Sequence, residues 1–115
     1  MVVFPKFPAI SNNDSNKEKY NKITEFMYSV VGMFVSDINV YYKVYYLIQL
    51  FRYVLDYSDI VLYNINTGKK EDELIKVLKS ICKTIHNNPL DQLEEGDKAE
   101  LVDICNKVIQ MIEDV

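Results

Sequence analysis

The side chains able to carry imidazole or thiol chemistry are few: one histidine, His86, and two cysteines, Cys82 and Cys105. A catalytic nucleophile needs a base within hydrogen-bonding reach and a third group to orient that base. No Ser, Cys or carboxylate stands at a local spacing from His86 that proposes such a dyad. His86 is expected instead at the end of a helix, where its charged form suits the last carbonyls and the negative end of the dipole. A structural zinc site takes four Cys or His ligands at close spacing, which this set does not supply. Each cysteine falls on the apolar stripe of an amphipathic segment and reads as a small hydrophobe. If those segments pair antiparallel, the two thiols come within range of a redox bridge.

The acidic runs Glu71-Asp72-Glu73 and Asp91 to Asp97 lack the ligand spacing of a calcium loop. Gly68-Lys69 lacks both the upstream glycine and the following Ser or Thr of a phosphate loop. No nucleotide, flavin or haem motif is present. The expectation is a non-enzymatic protein with no catalytic residue, no metal and no cofactor.

One segment stands out. From Val40 to Leu55 the chain is rich in apolar residues, and at about 100° per residue they divide into two faces. Val40, Val44, Leu47, Leu50, Phe51, Val54 and Leu55 form an aliphatic arc. Opposite lie Tyr42, Tyr45, Tyr46, Gln49, Arg52, Tyr53 and Asp56, with Tyr41 and Tyr57 at the margins. A tyrosine ring offers large apolar contact while its hydroxyl still requires water or a partner. Protein interfaces are enriched in Tyr and Arg for that reason. The face centred on Tyr42, Tyr45, Tyr46, Gln49, Arg52 and Tyr53 is therefore expected either to bind a partner or to be covered by the N-terminal arm or another helix.

That arm spans residues 1–10, where Phe4-Pro5 and Phe7-Pro8 disfavour helix. Val3, Phe4, Phe7 and Ile10 cannot be buried by ten residues alone, so the arm must dock on its own bundle, a second copy or a different protein. A polar linker follows, making residues 1–15 an arm and linker and 16–115 a single bundle domain.

Four helices must position these features. Ser15 with Glu18 forms a capping box, and a helix with Tyr20, Ile23, Met27, Val30, Val31 and Phe34 on one face should run to about Val35. Ser36 and Asp37 offer the next N-cap, for a helix from about Ile38 to Ser58 or slightly beyond. Tyr57 to Thr67 is expected as helix end and loop, since a single strand would have no partner. Thr67-Gly68 opens a third helix with Leu74, Val77, Leu78, Ile81, Cys82 and Ile85 on its stripe, stopped by Asn87-Asn88-Pro89. After an acidic connector, Asp97 with Glu100 resembles another capping arrangement. The last helix carries Leu101, Ile104, Cys105, Val108, Ile112 and Val115. The fold class is all-α: a small antiparallel bundle of about four helices with an extended N-terminal arm.

Composition agrees. The 115 residues are 49% hydrophobic and 26% charged, with only 3 Gly and 3 Pro, too few for the turns of a many-stranded sandwich or barrel. The net charge of −4, with Arg52 the lone arginine, disfavours nucleic acid and anionic membrane surfaces as partners. Abundant Asn, Lys, Ile and Tyr accord with AT-rich coding sequence, such as that of a virus, phage, apicomplexan or similar source. The N-terminus has no basic region and no long apolar run, so it does not read as a secretory signal. Two cysteines do not make a secreted disulfide scaffold, and free thiols in a reducing cytoplasm are expected. Lys43, Gln49 and Arg52 interrupt the most apolar segment, which argues against a spanning helix. The reading is a small interaction module, an assembly subunit, adaptor or inhibitor, whose partner is another protein or a second copy of itself. Peripheral membrane association is the alternative and an enzyme with a spatially assembled site the third.

Overall fold

The computed structural model describes residues 4–66, 73–87 and 94–113. Among these residues five helices follow one another: α1 (Asn16–Phe34), α2 (Val40–Asp56), α3 (Ser58–Asn66), α4 (Glu73–Asn87) and α5 (Glu95–Glu113). No strand occurs among the described residues. The protein is all-α.

Each start has a local cause. The Ser15 hydroxyl accepts from the Glu18 N–H at 3.1 Å, satisfying a donor that the first turn of α1 leaves open. At α2 the cap is Asn39, whose side chain accepts from the Tyr41 N–H at 2.9 Å, and not the expected Ser36 or Asp37. Ser36 is already engaged, its hydroxyl donating to the Met33 carbonyl at the end of α1. α5 begins at Glu95, two residues before the expected Asp97. The Lys98 N–H reaches the Glu94 carbonyl at 3.0 Å, and Glu95 and Asp97 lie in the first turn, where the dipole favours negative charge. The Thr67-Gly68 start, the Asn88-Pro89 stop and Val115 lie outside the described residues.

The expected loop after Tyr57 is instead a fifth helix. Tyr57 departs from helical geometry with φ −111° and ψ 32°, yet its carbonyl accepts from Val61 N–H at 3.2 Å, so the chain turns and resumes as α3. Burial supplies the reason: Ile60 and Val61 are 7% and 1% exposed, and the change of direction at Tyr57 brings both into the core.

α1 and α2 run antiparallel. The Lys43 ammonium sits 5.6 Å from the centre of the Phe34 ring, while further along α2 the Tyr53 ring lies 5.6 Å from Phe26, nearer the start of α1. α2 packs against α1, α3 and α5, and α4 packs on α5. The core joins Ile23, Phe26, Met27 and Val30 of α1 to Leu47, Leu50, Phe51 and Val54 of α2 and to Leu101, Cys105 and Val108 of α5. Phe26 and Met33 are buried although the expected stripe of α1 omitted them, because the stripe is wider than one row of residues. No polar or charged residue is buried among the described residues.

Phe51 is fully enclosed. Phe51→Ala should cost about 3–5 kcal/mol through lost burial and the cavity left behind. Val35→Ala, at a position 79% exposed, should change stability by less than about 0.5 kcal/mol. Urea unfolding followed by circular dichroism measures both.

Candidate protein-binding face

The helical period of α2 turns its aliphatic row inward and leaves tyrosines outside. Tyr41, Tyr42 and Tyr45 are 47%, 50% and 50% exposed, Tyr46, Gln49 and Tyr53 are half-buried, and Arg52 is exposed. These residues do not form one uniform patch. Tyr53 lies edge-on to Phe26 and belongs to the α1–α2 seam. Tyr41, Tyr45, Gln49 and Arg52 line a groove of about 760 Å³ with Phe4, floored by Val44 and Ile48 and bounded by Asp97 and Glu100 of α5. Arg52 donates to the Glu100 carboxylate at 2.7 Å, joining the helices across the end of the groove. Both partners are about half exposed, so the bridge orients side chains and contributes at most about 1 kcal/mol.

The arm lies along the same face. The Phe4 ring meets Tyr42 at 5.2 Å and Tyr46 at 6.1 Å. Phe7 meets Tyr46 at 5.7 Å, Tyr45 at 6.3 Å and Phe26 of α1 at 5.6 Å. The arm therefore docks on its own bundle, yet Phe4 and Phe7 each remain 44% exposed. A second hollow, of about 730 Å³, lies between the arm and α1 and is lined by Lys6, Glu25, Ser29 and Gly32 among others. Val3 lies outside the described residues.

A charged clasp holds the far end of the arm. Lys22 donates from Nζ to the Ala9 carbonyl and to Asp14 Oδ2, each at 2.7 Å. Asp14 Oδ2 also accepts from the Ser11 N–H at 3.0 Å, closing the turn before α1. The Lys22 hydrogen bond, followed by that from Ser11, holds the Asp14 carboxyl below its ordinary value of 3.8.

Cys82 of α4 and Cys105 of α5 lie in the core, 1% and 0% exposed, and form no disulfide. The neighbouring Cys82 thiol, together with burial, raises the Cys105 thiol far above the usual thiol range. A thiol kept protonated and shielded is a poor nucleophile. His86 lies in the last turn of α4. No group of His, Cys, Asp or Glu suited to a metal ion occurs among the described residues, and no helix there is long and apolar enough to cross a membrane.

Asp97, Glu100 and Phe26 are the parts of this face that periodicity along α2 could not supply, because they belong to other helices. The tyrosine row itself was the available signal. No protein family, curated protein or solved structure matches the chain.

The clasp has a measurable sign. A carboxyl whose folded pKa is depressed contributes stability above its unfolded value, and that contribution is lost as pH falls through the folded pKa. In a carbon-13 NMR titration the native Asp14 midpoint should lie below 3.8 and return toward it in Lys22→Ala. Separately, both thiols should resist N-ethylmaleimide at pH 8 in the native protein and react fully in urea, as read by mass spectrometry.

Proposed function

We propose that the protein is a small, non-enzymatic helical interaction module that binds another protein through the tyrosine face of α2 with its N-terminal arm. It would serve as an assembly subunit, adaptor or inhibitor. The observation carrying this reading is the groove in which half-exposed Tyr41, Tyr42 and Tyr45 stand over Val44 and Ile48, with Arg52, Asp97 and Glu100 at its edge. An apolar floor, amphipathic aromatic walls and a charged rim form the anatomy of a protein interface. Three large side chains left half in water retain apolar area that a partner can cover, at about 25 cal/mol per Å². Net charge −4 and an acidic groove edge favour a protein over a nucleic acid. The buried, unpaired thiols accord with a reducing intracellular compartment.

Tyr45 and Arg52 are the informative positions, since both reach the groove while Tyr53 also supports the packing of α1. Partner capture from the native source should depend on both. Tyr45→Ala with Arg52→Ala should weaken binding by at least about tenfold, in the range of interface hot spots, with thermal unfolding nearly unchanged. Undiminished capture by this variant would remove the face from the binding site. Light scattering over a dilution series separates a second copy from a different protein as the occupant.

A further inference from the structure

Phe4 and Phe7 are three residues apart, and each precedes a proline in the run Phe4-Pro5-Lys6-Phe7-Pro8. Proline fixes its own φ and turns the preceding residue from helix toward extended backbone. Such a run favours the polyproline II helix, which has three residues per turn, so positions i and i+3 share a face. In the docked arm Phe4 and Phe7 do share a face, against Tyr46. Residues 4–10 belong to no helix or strand, and both phenylalanines lie on Tyr46 with ring planes 25° and 22° apart. Phe4 then extends to Tyr42 and Phe7 to Tyr45, while Pro5 is buried and Lys6 faces solvent.

We propose that the tyrosine face of α2 is a receptor for an extended Phe-Pro-x-Phe-Pro segment, with the chain's own arm as a resident occupant that a partner protein carrying the same pattern displaces. The proposal rests on the reading of this face as a protein-binding surface and adds the chemistry of what it binds. Grooves walled by aromatic rings recognise proline-spaced segments because the backbone is already ordered and little entropy remains to be lost. Exchange is built into the geometry. Both phenylalanines are 44% exposed, so the α2 rings, joined at Phe7 by Phe26 of α1, cover them only in part. The charged clasp lies at Ala9 and Asp14, so residues 4–8 can leave the face while the clasp stays closed.

The test uses the full chain. A fluorescein-labelled peptide Phe-Pro-Lys-Phe-Pro-Ala-Ile is titrated by anisotropy against the wild type and against Phe4→Ala/Phe7→Ala, whose fold is checked by circular dichroism. A tethered competitor acts at an effective concentration of about a millimolar, so weakening the arm should raise peptide affinity by at least about tenfold. The added Tyr42→Ala substitution should remove most of that gain, and a peptide with both phenylalanines changed to alanine should not bind. Equal affinity for wild type and arm variant, or binding indifferent to Tyr42→Ala, overturns the proposal. A wild-type dimer that the arm variant converts to monomer places a second copy's arm on the face and overturns the one-chain arrangement. A native partner that depends on Tyr45 and Arg52 but is not displaced by the peptide overturns this inference alone; a partner that ignores those residues overturns the binding reading as well.

Discussion

The aliphatic face of α2 must leave water, and the rest of the chain is arranged around that requirement. Leu47, Leu50, Phe51 and Val54 are almost wholly enclosed, each favouring burial by about 1.5–3 kcal/mol relative to exposure. One helix cannot cover such a broad arc, so α1 lies along one side of it and α5 along another, with α3 folded back by the break at Tyr57. Once those neighbours are in place, a single strip of α2 still faces outward. The tyrosines occupy that strip because their rings tolerate contact and their hydroxyls tolerate water.

The arm and the tyrosine strip are thus two answers to one problem. The strip is too apolar to be a fully solvated surface and too polar at its hydroxyls to enter the core. Stacked rings from the arm cover part of it and leave Tyr42 and Tyr45 half exposed. Clasp and rings also divide their work: Lys22 with Asp14 fixes where the arm leaves α1, and the phenylalanines decide where it lies. An electrostatic anchor that water still reaches weakens with salt, whereas ring contacts do not.

Periodicity made much of this legible. The start of α1 at Ser15, its end near Val35, the two-faced character of α2 and the burial of Leu101, Ile104, Cys105, Val108 and Ile112 all follow from local spacing and capping chemistry. What escaped was decided by tertiary contacts. Ser36 looks like a cap until its hydroxyl is seen bonded backward to Met33. The run Ile60-Val61-Leu62 carries no Gly or Pro to punctuate it, and only the core shows that it needs a helix of its own. For the binding face, the row on α2 was readable, while Asp97 and Glu100 join it from a helix some fifty positions away in the chain. Nothing in the one-dimensional pattern states which helix will lie beside which.

The absence of any buried polar side chain among the described residues reaches beyond stability. Hydrocarbon recognises hydrocarbon by volume and shape, with no pairing that a wrong arrangement would leave unmet. The described core therefore tolerates exchange among residues of similar bulk and holds no polar pair to fix its register. Discrimination falls to the periphery, to the oxygen of Ser15, the amide of Asn39 and the ammonium of Lys22, each of which specifies where a segment begins or leaves. A sequence could drift widely in its core and still fold this way, provided those few punctuating groups stayed in place.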